Sequence, residues 1–81
     1  MTKIDQKMYQ IFANFEIIWH EPQLHDVFII AKEKKICLLT VSWYVLSYVK
    51  DGKDIVYTYD WTLPLMSQSD ELKQQLINLF S

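Results

Sequence analysis

Glycine occurs once in this chain of 81 residues, cysteine once, proline twice and arginine not at all. Each scarcity closes off a class of function. With Gly52 as the sole glycine, no glycine-rich loop can bring successive backbone N–H groups up to a phosphate. Without arginine the chain lacks the planar, bidentate donor that reads guanine and clamps phosphate. Sequence-specific nucleic-acid recognition is therefore not expected. All eight cations are lysines and the formal net charge is only −2, so charge names no partner. Cys37 has no second cysteine to bridge to, which suits a reducing compartment. The first residues, Met1 to Lys7, lack the apolar stretch of a secretory signal. The charge-free stretch Ile36 to Val49 is shorter than the roughly 20 residues a membrane-spanning helix needs. The expectation is a cytoplasmic protein with no membrane contact.

What the chain has in abundance is apolar and aromatic side chains, 51% and 15% of its residues. That composition excludes disorder. The length allows one domain, residues 1–81, with a thin core.

Thr2 with Asp5 three residues on reads as a helix start. Ile4, Met8, Ile11, Phe12 and Phe15 follow at helical spacing, and Ile18 and Trp19 extend the stripe. Pro22 stops it, so a helix is expected to end near His20. The alternation of Phe15, Ile17 and Trp19 leaves a short strand as the alternative there. Leu24 to Lys32 is rich in β-formers and reads as a strand, with Lys32 to Lys35 as a turn. Ile36 to Val49 reads as a long strand with a bend or bulge near Thr40 to Ser42. Asp51-Gly52 supplies the two positive φ angles of a tight hairpin turn, and Ile55 to Trp61 returns. Pro64 falls in a loop. Ser69 caps a last helix that buries Leu72, Leu76, Leu79 and Phe80. The expected fold is α+β: an N-terminal helix, a three-stranded antiparallel meander and a C-terminal helix.

The Asp-Gly turn sets a register, and the register sorts side chains onto two faces. Tyr48 falls opposite Ile55, Leu46 opposite Tyr57, and Tyr44 opposite Tyr59. The other face pairs Val49 with Asp54, Ser47 with Val56, Val45 with Thr58, and Trp43 with Asp60. A turn at Glu33-Lys34 would add Val27, Ile29, Ile36 and Leu38 to the tyrosine face. It would add Phe28, Ile30, Cys37, Leu39 and Val41 to the Trp43 face. Both faces are then apolar, which is unusual for a meander. Two amphipathic helices cover one face well and two faces poorly. Aromatic and β-branched strand residues are often simply core. Tryptophan ringed by polar groups also marks interfaces. The candidate partner-binding residues are Trp43, Val41, Val45, Val49, Phe28, Ile30, Asp54 and Asp60.

Catalytic signatures are missing. His20-Glu21-Pro22-Gln23-Leu24-His25 is one residue too long for the zinc-protease motif, and Pro22 breaks the helix that would align its imidazoles. Neither a metal nor an organic cofactor is expected. Cys37, in an apolar strand, reads as an inert small hydrophobe. The two lysine groups lie at opposite ends of the meander, so no basic groove forms for single-stranded nucleic acid. The first expectation is a non-catalytic protein-interaction module without enzymatic activity, of the inhibitor, immunity or phage-effector kind. It would form a homodimer or dock on a target protein. The alternatives are a small-molecule pocket using His20, His25, Tyr44 and Tyr59, and a weak single-strand binder.

Overall fold

A computed structural model describes the backbone of residues 1–41 and 45–81 and the side chains of residues 1–38 and 45–81. Helix α1 spans Lys3–Ala13 and starts where Thr2 and Asp5 place it. The Thr2 hydroxyl accepts from the Asp5 N–H at 3.1 Å, satisfying one of the free donors of the first turn. Met8 and Phe12 are fully buried from its apolar stripe.

The helix stops two turns before His20. Glu16 adopts the left-handed region at φ 59°. The Ile17 N–H then reaches back to the Phe12 carbonyl at 3.2 Å, and the Glu16 N–H to the Ala13 carbonyl at 3.0 Å. This is the Schellman closure, which sends Ile17 into the core beside Phe12. Ile18 and Trp19, expected to prolong the stripe, stand exposed instead.

The segment expected as a first strand is a helix, α2, Leu24–Glu33. Its β-forming residues lost to a helical face. Val27, Ile30 and Ala31 are buried together, while Phe28 and Ile29 point outward. The Asp26 carboxylate accepts the Gln23 N–H at 2.7 Å at its start. Its end repeats that of α1. Lys35 is left-handed at φ 57°, and the Ile36 N–H bonds the Ala31 carbonyl at 2.8 Å. The Lys32 to Lys35 turn is therefore a helix end.

The long strand expected over Ile36–Val49 is two antiparallel strands, β1 (Leu38–Val41) and β2 (Val45–Lys50), with a register shift between Leu38 and Thr40. β2 turns at Asp51 (φ 54°) and Gly52 (φ 76°) into β3, Lys53–Thr58. The pairs from Val45–Thr58 to Lys50–Lys53 follow the register that Asp-Gly dictates. The sheet order is β1-β2-β3. Cys37, expected within an apolar strand, sits ahead of β1 and is exposed.

A short 3₁₀ turn at Leu65–Ser67 tucks Leu65 into the core and leads to α3, Asp70–Phe80, capped by the Ser69 hydroxyl accepting from the Leu72 N–H at 3.2 Å. The α+β class thus consists, among the described residues, of three α-helices and an antiparallel hairpin with β1 alongside. α1 and α3 pack together. Leu46 and Tyr48 bring the tyrosine face of the hairpin onto the core formed with Phe12, Leu72, Leu76 and Phe80. The Tyr48 hydroxyl donates to Gln75 Oε1 at 3.1 Å, which lets the ring bury completely.

One charged tie crosses the helix pair. Lys73 is 5% exposed, and its Nζ donates to Asp5 Oδ1 at 2.6 Å and to the Met66 carbonyl at 3.3 Å. Asp70 lies 3.5 Å away. The radius of gyration, 11.9 Å, matches the roughly 11.7 Å of a single compact domain this long. Among the described residues, no helix is long and apolar enough to cross a membrane.

Candidate functional site

With the tyrosine face turned inward, the opposite face of the hairpin looks outward. Val49 is 48% exposed and Val56 60% exposed, and Asp54 and Thr58 beside them are exposed as well. Val45 is half-buried and Ser47 is buried. This is the face expected to dock a partner. The structure brings Val45, Val49 and Asp54 together there. It also adds Val56, which the register placed on this face but which was not among the candidate contacts.

The other candidates fall elsewhere. Ile30 is sealed in the core because α2 is a helix, and it presents no surface. Phe28 is 44% exposed on the outer side of α2. Trp43 and the side chain of Val41 lie outside the described residues, with the Val41 backbone opposite Leu46. Asp60 follows the end of β3 and serves its own loop. Its carboxylate accepts from the Thr62 hydroxyl and, at 2.9 Å, from the Thr62 N–H. Those bonds hold its carboxyl below the usual aspartate range.

β3 is an edge strand, yet an additional strand is disfavoured there. A two-residue turn makes Lys50–Lys53 a hydrogen-bonded pair, so Asp54, Val56 and Thr58 direct their backbone groups away from β2. Lys53 and Asp54 guard the start of that edge with charge. Ser69, Glu71 and Leu72 at the start of α3 line a recess along the rest. The free surface is the face, not the edge.

A separate pocket of about 390 Å³ opens between Glu21–Leu24 and the loop that follows β3. Gln68, 7% exposed, fixes that loop. Its Nε2 donates to the carbonyls of Asp60 and Leu63, and its Oε1 accepts the Asp60 N–H at 2.9 Å. Tyr59 and Trp61 line the pocket. Burial raises the Tyr59 phenol above its ordinary value. Among the described residues, the Tyr59 hydroxyl is the buried side-chain polar atom without a hydrogen-bond partner. No sequence signal marks the pocket, because its lining comes from segments some forty residues apart. Of the described polar groups considered for such a site, Tyr59 lines it. His20 Nδ1 lies 2.8 Å from the Glu21 carbonyl, and its Nε2 is 4.0 Å from Asp26 Oδ1. His25 is exposed, and Tyr44 lies outside the described residues.

No cluster of three or more histidine, cysteine, aspartate or glutamate side chains suited to a metal ion occurs among the described residues. No protein-family model, curated protein or solved structure matches the chain.

Proposed function

We propose that the chain is a non-catalytic interaction module that presses the outer face of its hairpin against another protein, with a second copy of itself as the first occupant. The observation that supports this is the pair Val49 and Val56, both about half exposed or more, on a face whose partner side supplies the core. A half-wet sheet face is ordinary when it is polar, but here two of its exposed residues are valines. Two-fold pairing of identical chains is the commonest way to cover such a surface.

Size sets the strength. Six residues per strand at about 3.3 Å each give a face roughly 20 Å long. With two strands about 4.8 Å apart it covers only a few hundred Å², against about 800 Å² per partner in a standard interface. The contact is therefore reversible and weak. A small inhibitor or immunity-type effector in a cytoplasmic, reducing setting would use the same face on its target.

Sedimentation equilibrium over a wide concentration range tests the reading. The weight-average mass of the native chain should climb towards that of a dimer, and Val56→Lys should hold it at the monomer with an unchanged circular dichroism spectrum. A chain that stays monomeric throughout, or a variant that associates like the native chain, removes the outer face from consideration.

A further inference from the structure

We propose that the outward face of α2 lies on the surface of a lipid bilayer that carries anionic headgroups. Along this helix the exposed residues are His25, Phe28, Ile29, Lys32 and Glu33. The first four recur at helical steps of three and four residues and share one side, away from the buried Val27, Ile30 and Ala31. Phe28 is 44% and Ile29 42% exposed. A strand would have sent these two to opposite faces, whereas the helix sets them side by side. Lys32 stands one turn beyond them, and Lys34 and Lys35, both exposed, follow the helix end. The acids keep to the margins. Asp26 is buried and accepts the Gln23 N–H, and Glu33, the last residue of the helix, borders the face beyond Ile29.

Charge and size choose the occupant. Three lysines against one glutamate leave this end of α2 locally positive, on a chain whose formal net charge is −2. A helix face that is apolar and basic together suits the headgroup boundary of an anionic membrane. Its apolar side chains enter the acyl edge while lysine stems lie along it and their ammonium groups reach the phosphates. Ten residues at about 1.5 Å each make a helix only roughly 15 Å long. Its convex outer strip falls well short of the roughly 800 Å² per partner of a standard protein interface. A bilayer demands no matching shape and takes up side chains singly. A nucleic acid would use the lysines through its phosphates and leave Ile29 wet. The expectation of no membrane contact came from the missing apolar span. That absence excludes crossing the bilayer and leaves lying on its surface open.

The test is co-sedimentation of the full chain with sucrose-loaded vesicles, either phosphatidylcholine alone or phosphatidylcholine with about one-third phosphatidylserine. The chain should be half bound to the anionic vesicles at about millimolar lipid, weaker than the roughly 10⁴ M⁻¹ of a single myristoyl chain. Neutral vesicles should hold it about tenfold less, and salt at about 0.5 M should release it from the anionic ones. Lys32→Gln and Lys34→Gln should each weaken binding about fivefold, the share of one lysine near such a surface. Phe28→Gln should also cost about fivefold, through the half of the ring still open to burial. Far-UV circular dichroism checks that each variant keeps the native helices. Equal binding to neutral and anionic vesicles overturns the inference. So does binding that neither Lys32→Gln nor Phe28→Gln alters, or none at about ten millimolar lipid. Binding to poly-L-glutamate as tight as to the anionic vesicles would assign the face to an acidic protein and overturn it too.

Discussion

Glu16 and Lys35 hold left-handed backbone angles with full side chains, at φ 59° and 57°. An L-residue pays about 1–2 kcal/mol there for the closeness of its Cβ to the carbonyl, and glycine pays nothing. Glu16→Gly and Lys35→Gly should each stabilise the fold by about 0.5–1 kcal/mol, after the greater freedom of glycine in the unfolded chain is deducted. Urea denaturation measures this. A loss of stability in both would mean that their side chains, not their backbone, hold the turns. The same two residues explain why the helix ends could not be read. A helix end is usually flagged by glycine, and this chain used its one glycine in the hairpin. At Asp5 and Lys73 the effects are electrostatic. The hydrogen bond from Lys73 holds the Asp5 carboxyl below its ordinary 3.8. Burial pulls the Lys73 ammonium down, but the hydrogen bond and charge of Asp5, then Asp70, outweigh it and leave the group above 10.5. The Asp5 contribution is therefore complete above pH 3.8 and fades as pH falls through the lower folded value. The Lys73 contribution is complete below 10.5 and fades as pH rises through the higher one. Asp5→Asn should be less stable than the native chain at pH 7 and nearly equal to it well below pH 3.8. Parallel urea melts at the two pH values decide, and an equal deficit at both would contradict the assignment.

At the scale of elements, the hairpin and α2 fared oppositely as sequence. Asp51-Gly52 has one good geometry, and six strand pairs follow from it. The caps Thr2 and Ser69 were legible for a similar reason, since each side chain acts within three residues of itself. Leu24–Glu33 offered no local constraint of that kind. Val27, Phe28, Ile29 and Ile30 favour β locally, and only the core decides that Val27, Ile30 and Ala31 must face one way. A pair of substitutions separates the two readings. On a strand, Phe28 and Ile30 would share a face and a fate. On the helix, Ile30→Ala should cost about 2–5 kcal/mol as a core cavity. Phe28→Gln should change stability by no more than about 0.5 kcal/mol, as a surface change does. Comparable losses at both positions would argue against the helix.

For the whole molecule, the decisive arrangement is that α1 and α3 share one core with the inner face of the hairpin. Leu76→Ala should cost about 2–5 kcal/mol. It should also speed amide exchange in α1 and α3 together, since neither buries its stripe alone. Exchange that accelerates in α3 only would divide them. The candidate face was legible in part because a register assigns sides without assigning depth. Val45, Val49 and Asp54 were placed on one side by Asp-Gly, while Ile30 was added to it on a strand that does not exist. Which side meets the core depended on α3, whose leucines and phenylalanine take up the tyrosines. The tie from Lys73 to Asp5 carries this further. It fastens α1 to α3, joining residues 68 apart along the chain. Until α3 has been made, the core around Met8 and Phe12 lacks Leu72, Leu76, Ile77 and Phe80. The apolar stripe of α1 is therefore made well before the helix that completes its cover, and the contacts that close the core are of long range.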